Sequence, residues 1–172
     1  AHLGPVKNHA MLLRAMQKVV ASDQRARLYL AGDGPLREPL QDMAVELGIG
    51  EHVVFLGYRD DVPALMRDCD IVCLTSKAEG FGMVLIEAGA ARKPCIVTDI
   101  TGPREVVVDG VTGFVVPPDD DEALAERILQ LSRDADLRRR MGEAARERVE
   151  KHYTLERQVA LVDRVYREVL GR

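Results

Sequence analysis

The stretch "DIVCLTSKAEGFGMVLIEAGAARKPCIVT", residues 70–98, decides the fold. Its first six residues are a short run rich in Val, Ile and Leu behind an Asp, and its last five are another run opened by Pro. Both read as buried strands. Glycines at 80 and 82 interrupt the chain between them, and the apolar spacing that follows predicts a helix over 82–91. Strand, loop, helix and strand make one crossover unit of a parallel sheet. The alternation extends both ways. "RLYLAG" (27–32), "HVVFLG" (52–57) and "GFVVP" (113–117) are further strands, with helical patterns at 8–21, 36–47, 61–68 and 103–108. Repeated strand–helix units predict an α/β fold: a doubly wound, Rossmann-like parallel sheet with helices on both faces.

After Pro117 the strands stop. "PPDDDEALAERILQLSRD" puts acidic residues at a helix start, where they cap free N–H groups and suit the macrodipole. A cation held by Asp119, Asp120 and Asp121 is the alternative reading. Helices at 135–152 and 154–170 finish the chain. Its 172 residues amount to about one domain, and neither an internal repeat nor a low-complexity linker divides it. The opening "AHLGPVKNH" reads as the tail of a strand, a loop and a helix start. The first strand of such a sheet is central, so the chain is expected to be a piece of something longer that lacks most of that strand.

Charge and cysteines exclude several classes. The net charge of −4 gives no general attraction to nucleic acid or an anionic membrane. Basic residues concentrate after Leu131, where they read as solvated helix faces. No apolar run approaches the roughly 18 residues that would span a bilayer. Cys69, Cys73 and Cys95 form no CxxC pair, and the histidines show no ligand spacing with them, so no metal site is predicted. Free cysteines in apolar runs fit a reducing compartment.

The glycines of "EGFG" leave the amides at the start of the following helix uncovered, which makes an anion site suited to phosphate. Ordinary turn geometry explains the glycines equally well. Glu87 adds a second constraint. Its helical neighbours Met83, Val84, Ala90 and Ala91 are apolar, with no Lys or Arg at those spacings. A buried, unpaired carboxylate costs several kcal/mol, so Glu87 is expected to reach either a distant Arg or a ligand's hydroxyls. At about 1.5 Å rise per residue it lies roughly 6–8 Å from the helix start, about the distance from a bound phosphate to its ribose. "AGDGP" (31–35) reads as a strand end, a turn and a Pro opening a helix.

The E-x7-E spacing of "EGFGMVLIE", taken with "KNHAMLLRA", "AGDGPLREPL", "VVFLGYRDDVPALMRDCDIVCLTS", "PCIVTD" and "PREVVVDGVTGFVVPPDD", resembles the C-terminal domain of GT-B glycosyltransferases. It is similar to glycosyltransferase family 4, a retaining group that uses nucleotide sugars, and the likeness runs the length of the chain. The resemblance implies a donor site for an NDP-sugar of UDP or GDP type, with no cofactor and no metal. It assigns Glu79 as the catalytic residue against the transferred sugar and Glu87 to the ribose hydroxyls. Backbone amides of Gly80, Phe81, Gly82 and Met83 would meet sugar and phosphates, and Lys7 would grip the diphosphate. The base would be read around Tyr58 and Arg59, mainly by backbone. The family's usual "GRL" is "AHL" here, so His2 stands at an Arg position; it is shorter and only partly charged at neutral pH.

The partners implied are the nucleotide-sugar donor and an N-terminal acceptor-binding domain, without which the chain should bind donor but transfer little. The expected location is cytoplasmic, with any peripheral membrane contact made through that domain. A GT-B nucleotide-sugar epimerase and a non-catalytic nucleotide-binding module are the alternative readings. The family also tends to send its final helix across to the partner domain. In "TLERQVALVDRVYREVL", Leu155, Val159, Val162, Val165, Tyr166 and Val169 form an apolar stripe. The stripe either packs on the domain's own sheet or, towards Val169, lacks contacts within it.

Overall fold

Side-chain alternation along β4 (Cys95–Thr98), a strand buried at every residue, explains how the layers assemble. Ile96 joins one apolar cluster, whereas Cys95 and Val97 join another. In β5 (Gly113–Val116), Phe114 and Val116 likewise face the first cluster and Val115 the second. A period of two with apolar residues at both phases means a sheet covered on both faces.

The computed structural model describes residues 1–171. The first cluster packs α1 (His9–Ser22), α2 (Arg37–Glu46) and α6 (Asp121–Arg133) on one face. The second lies under α3 (Val62–Asp68), α4 (Met83–Ala90) and α5 (Pro103–Val106). Helix α7 (Ala135–His152) lies against α4. The contact is close because Gly142 has no side chain; a Cβ there would lie 2.1 Å from the Arg92 carbonyl oxygen. Helix α5 is shorter than the pattern predicts, because the chain turns extended at Val107 and buries it. Among the described residues no helix is long and apolar enough to cross a membrane.

All strand pairs within the sheets are parallel, but the ladder is in two parts. β1 (Leu28–Ala31) pairs with β2 (Val53–Gly57); β3 (Val72–Leu74), β4 and β5 form the other part. Residues 1–6 connect the two at their carboxyl ends. The Leu3 amide donates to the Asp33 carbonyl beyond β1 at 2.9 Å, and the Lys77 amide beyond β3 donates to the Val6 carbonyl at 2.8 Å.

The three aspartates after β5 do separate jobs. Asp120 caps α6 through the Ala123 amide at 2.9 Å. Asp121 pairs with Arg14 at 3.0 Å and Lys18 at 3.7 Å, fastening α6 to α1. Asp119 turns the other way, towards the loop before α1.

The last helix, α8 (Leu155–Leu170), buries none of its residues. Leu155 is 75% exposed and Val169 77%, so the stripe lacks packing from its first residue onward, not only towards its end.

Candidate functional site

Lys7 and Glu79, 72 positions apart, meet as an ion pair with Nζ 2.5 Å from Oε2. Each is positioned by the end of a different element. Lys7 ends a short 3-10 turn, Pro5–Lys7, that precedes α1, while Glu79 stands in the loop between β3 and α4. Thr75 and Ser76 close β3 and hold both sides. Thr75 Oγ1 donates to the Lys7 and Asn8 carbonyls at 3.0 and 3.3 Å, and Ser76 Oγ donates to Glu79 Oε2 at 3.3 Å. Ser76 is itself fully buried, and its carbonyl accepts from Thr98 Oγ1 at 2.6 Å. Sequence reasoning did not single out Thr75 or Ser76, whose one available signal was a pair of hydroxyl residues ending an apolar strand, and it named Asp119 only as an alternative cation ligand.

Gly82 starts α4 in the left-handed region, φ 87°, and provides no side-chain cap; its carbonyl takes the Leu85 amide at 2.9 Å, and the Met83 and Val84 amides are left for solvent or a ligand. Gly80 is exposed, Phe81 half-buried and Met83 61% exposed. Phe81 is steadied edge-on by Tyr153, with ring centroids 5.7 Å apart. From behind, Gly102 lets the loop after β4 approach: a Cβ there would lie 2.8 Å from the Gly80 carbonyl oxygen. An open cavity of about 660 Å³ beside this turn is lined by Lys77, Glu79, Asp99, Thr101, Arg104 and Glu105.

Glu87 corrects an expectation. It is exposed, and among the described residues it has no ion pair, so the several kcal/mol attached to a buried carboxylate do not arise. The apolar neighbours misled because α4 is short and buries only Leu85, Ala88 and Gly89; Met83 faces out with Glu87. Glu87 does not line the cavity. It stands four residues past Met83, about 6 Å along the axis from the uncapped amides.

Tyr58 and Arg59 follow β2, also at a carboxyl strand end, and both are exposed. The Arg59 guanidinium is already bound bidentately by Asp61, at 2.7 and 2.5 Å, which raises its pKa. No hydrogen bond or ion pair among the described residues joins this loop to Lys7 and Glu79. His2 is exposed beside the 31–35 turn, where a Cβ on Gly34 would meet its ring at 2.9 Å.

His9, at the start of α1, is 8% exposed and its Nδ1 has no hydrogen-bond partner among the described residues. Burial, the chain's amino terminus and then Lys7 lower its pKa from 6.5 to about 4. It is therefore neutral in the fold, while the unfolded chain binds its proton below about pH 6.5. Stability is expected to fall by roughly 2–3 kcal/mol as the pH drops from 6.5 to 4. Urea melts of the chain and His9→Gln across that range check it; identical pH slopes would refute the assignment.

The site has an ammonium, a carboxylate and uncapped helix amides at the carboxyl ends of parallel strands, which is where such sheets hold phosphorylated ligands. That defines an α/β domain with an arrangement suited to an anionic ligand, without naming its chemistry. The comparisons with known proteins do so: residues 1–148 match the model for glycosyl transferases group 1, and the chain belongs to that family. It is 37% identical over 165 residues to N-acetyl-alpha-D-glucosaminyl L-malate synthase of Bacillus anthracis, covering 96% of this chain and 43% of that protein. Among solved structures it resembles Anabaena HepE in complex with UDP-glucose, at TM-score 0.87 and 28% identity, over 99% of this chain and 47% of that one. The C-terminal domain of the group 1 protein LpcC from Francisella tularensis shares the fold, at TM-score 0.83 and 22% identity, over 90% of this chain and 83% of that one. The chain spans less than half the length of the curated relative from Bacillus anthracis.

Proposed function

We propose that this chain is the donor-binding half of a retaining hexosyltransferase, holding a UDP- or GDP-type sugar whose glycosyl unit passes to an acceptor hydroxyl. The observation that supports it is the convergence of Lys7 and Glu79 beside the uncapped start of α4. Lys7 and the α4 amides stabilise the diphosphate as it leaves the anomeric carbon, an electrostatic contribution of the kind that dominates many such steps. Glu79 lies against the sugar, where it orients the ring and favours the positive charge that develops on it. Glu87 accepts from the ribose hydroxyls, and the loop at Tyr58 and Arg59 reads the base through its backbone. HepE, solved with UDP-glucose, supports the donor class. An N-terminal domain provides the acceptor site, so the chain alone binds donor and transfers little. The free Cys69, Cys73 and Cys95 support a cytoplasmic location, and burial pushes the Cys73 thiol up to about 12, far from reactive.

Calorimetry with UDP and GDP on the chain tests this. One of them should bind weakly, and Glu87→Ala should weaken it by about 1–3 kcal/mol, the loss of hydrogen bonds to a charged group. A chain that binds neither nucleotide overturns the donor reading. Equal affinity of wild type and variant overturns the ribose assignment alone.

A further inference from the structure

Asp119 lies in the turn after β5, far in sequence from Lys7 and Glu79, yet its carboxylate touches the segments that carry both. Its Oδ1 accepts from Asn8 Nδ2 at 2.9 Å and from Lys77 Nζ at 3.1 Å. Asn8 directly follows Lys7, and Lys77 stands two residues before Glu79. The Lys77 amide also holds the Val6 carbonyl, on the other side of Lys7. Asp119 and Asn8 are two of only three non-glycine residues with positive φ among those described, at 60° and 50°. Asn and Asp are the residues with a Cβ that enter that region most readily, and here the hydrogen bond between their side chains joins the two turns. Hydrogen bonds from Lys77 and then Asn8 keep the Asp119 carboxyl below its ordinary range, hence ionised at neutral pH.

We propose that Asp119 is a positioning residue for the diphosphate clamp. Through Asn8 it fixes the backbone on which Lys7 is carried, and through Lys77 it ties that backbone to the Glu79 loop. It also occupies the Lys77 ammonium, which otherwise stands two residues from Glu79 as a rival to Lys7 for that carboxylate. The proposal rests on the reading that Lys7 grips the donor diphosphate.

A double-mutant cycle with UDP as the probe tests it: wild type, Asp119→Ala, Lys7→Met and the double variant, by calorimetry, each with a thermal melt. Asp119→Ala should raise the UDP Kd about fivefold in the wild-type background and less than about twofold beside Lys7→Met, because it acts through Lys7. The shift in melting temperature should be the same in both backgrounds, which separates positioning from support of the fold. Asp119→Asn keeps an acceptor for Asn8 and loses the charge facing Lys77, so it should fall between; it carries the cycle if the Ala variant does not fold. An unchanged Kd, or an equal loss in both backgrounds, overturns the proposal and leaves the donor reading intact. A wild type that binds UDP while Lys7→Met binds it equally well removes the clamp itself.

Discussion

Glu79→Gln is expected to separate binding from transfer. In the enzyme completed by its N-terminal half, transfer should fall about a hundredfold or more, the usual scale for removing a positioned charged group from the reacting centre. In the chain alone, UDP should bind about five to ten times more tightly. Two effects act together. Lys7 is paired with Glu79 at 2.5 Å, with side chains only 25% and 19% exposed, so a diphosphate arriving there competes for an ammonium that is engaged. The Glu79 carboxylate also repels the incoming phosphates across the same few ångströms, in a setting where water screens poorly. The amide of Gln removes both effects and retains the shape and an acceptor for the Ser76 hydroxyl. Calorimetry with UDP and a radiolabelled transfer assay read the two halves. A variant that binds UDP less tightly would show that the pair pre-organises the clamp, and full transfer activity would remove Glu79 from the chemistry.

The glycine turn that opens α4 was legible from "EGFG", because glycine at a strand–helix turn is a local signal. The same holds for the layers: β4 is apolar at both phases of its pleat, and only a sheet covered on both faces accommodates that. What the sequence did not carry is how far α4 is covered. Met83, Val84, Ala90 and Ala91 around Glu87 imply burial, yet α7 presses on the other side of α4, where Gly89 admits close contact with Ala145 and Val149. Long-range pairs were equally silent. Nothing local marks Asp119 as the partner of Asn8, 111 residues away, or Thr75 as a donor to the Lys7 carbonyl, 68 residues away; those contacts exist because parallel strands bring their carboxyl ends to one edge.

Helix α8 is expected to decide whether transfer occurs at all. Its structure is provided locally: the Thr154 side chain accepts from the Arg157 amide, Asp163 pairs with Arg167 at 2.7 Å, and Gly171 ends it at φ 66°. A helix of this length is marginal in water without packing, so its exposed stripe of Leu155, Val159, Val162, Val165, Tyr166 and Val169 calls for a partner surface. Under the proposed function that surface belongs to the N-terminal half, and α8, about 24 Å long, presents the stripe to it. Val162→Asp combined with Val165→Asp should therefore cut transfer more than about tenfold, since a charge buried at an interface weakens it strongly. UDP affinity of the chain should not change, because no residue of α8 is buried in the body that carries Lys7 and Glu79. In the isolated chain the stripe should drive concentration-dependent self-association, and a stop codon after Thr154 should return a monomer with an unaltered melting temperature. Sedimentation of both chains reads this directly. A wild-type chain that stays monomeric at high concentration, together with full activity of the two-Asp enzyme, would show that the stripe has no partner.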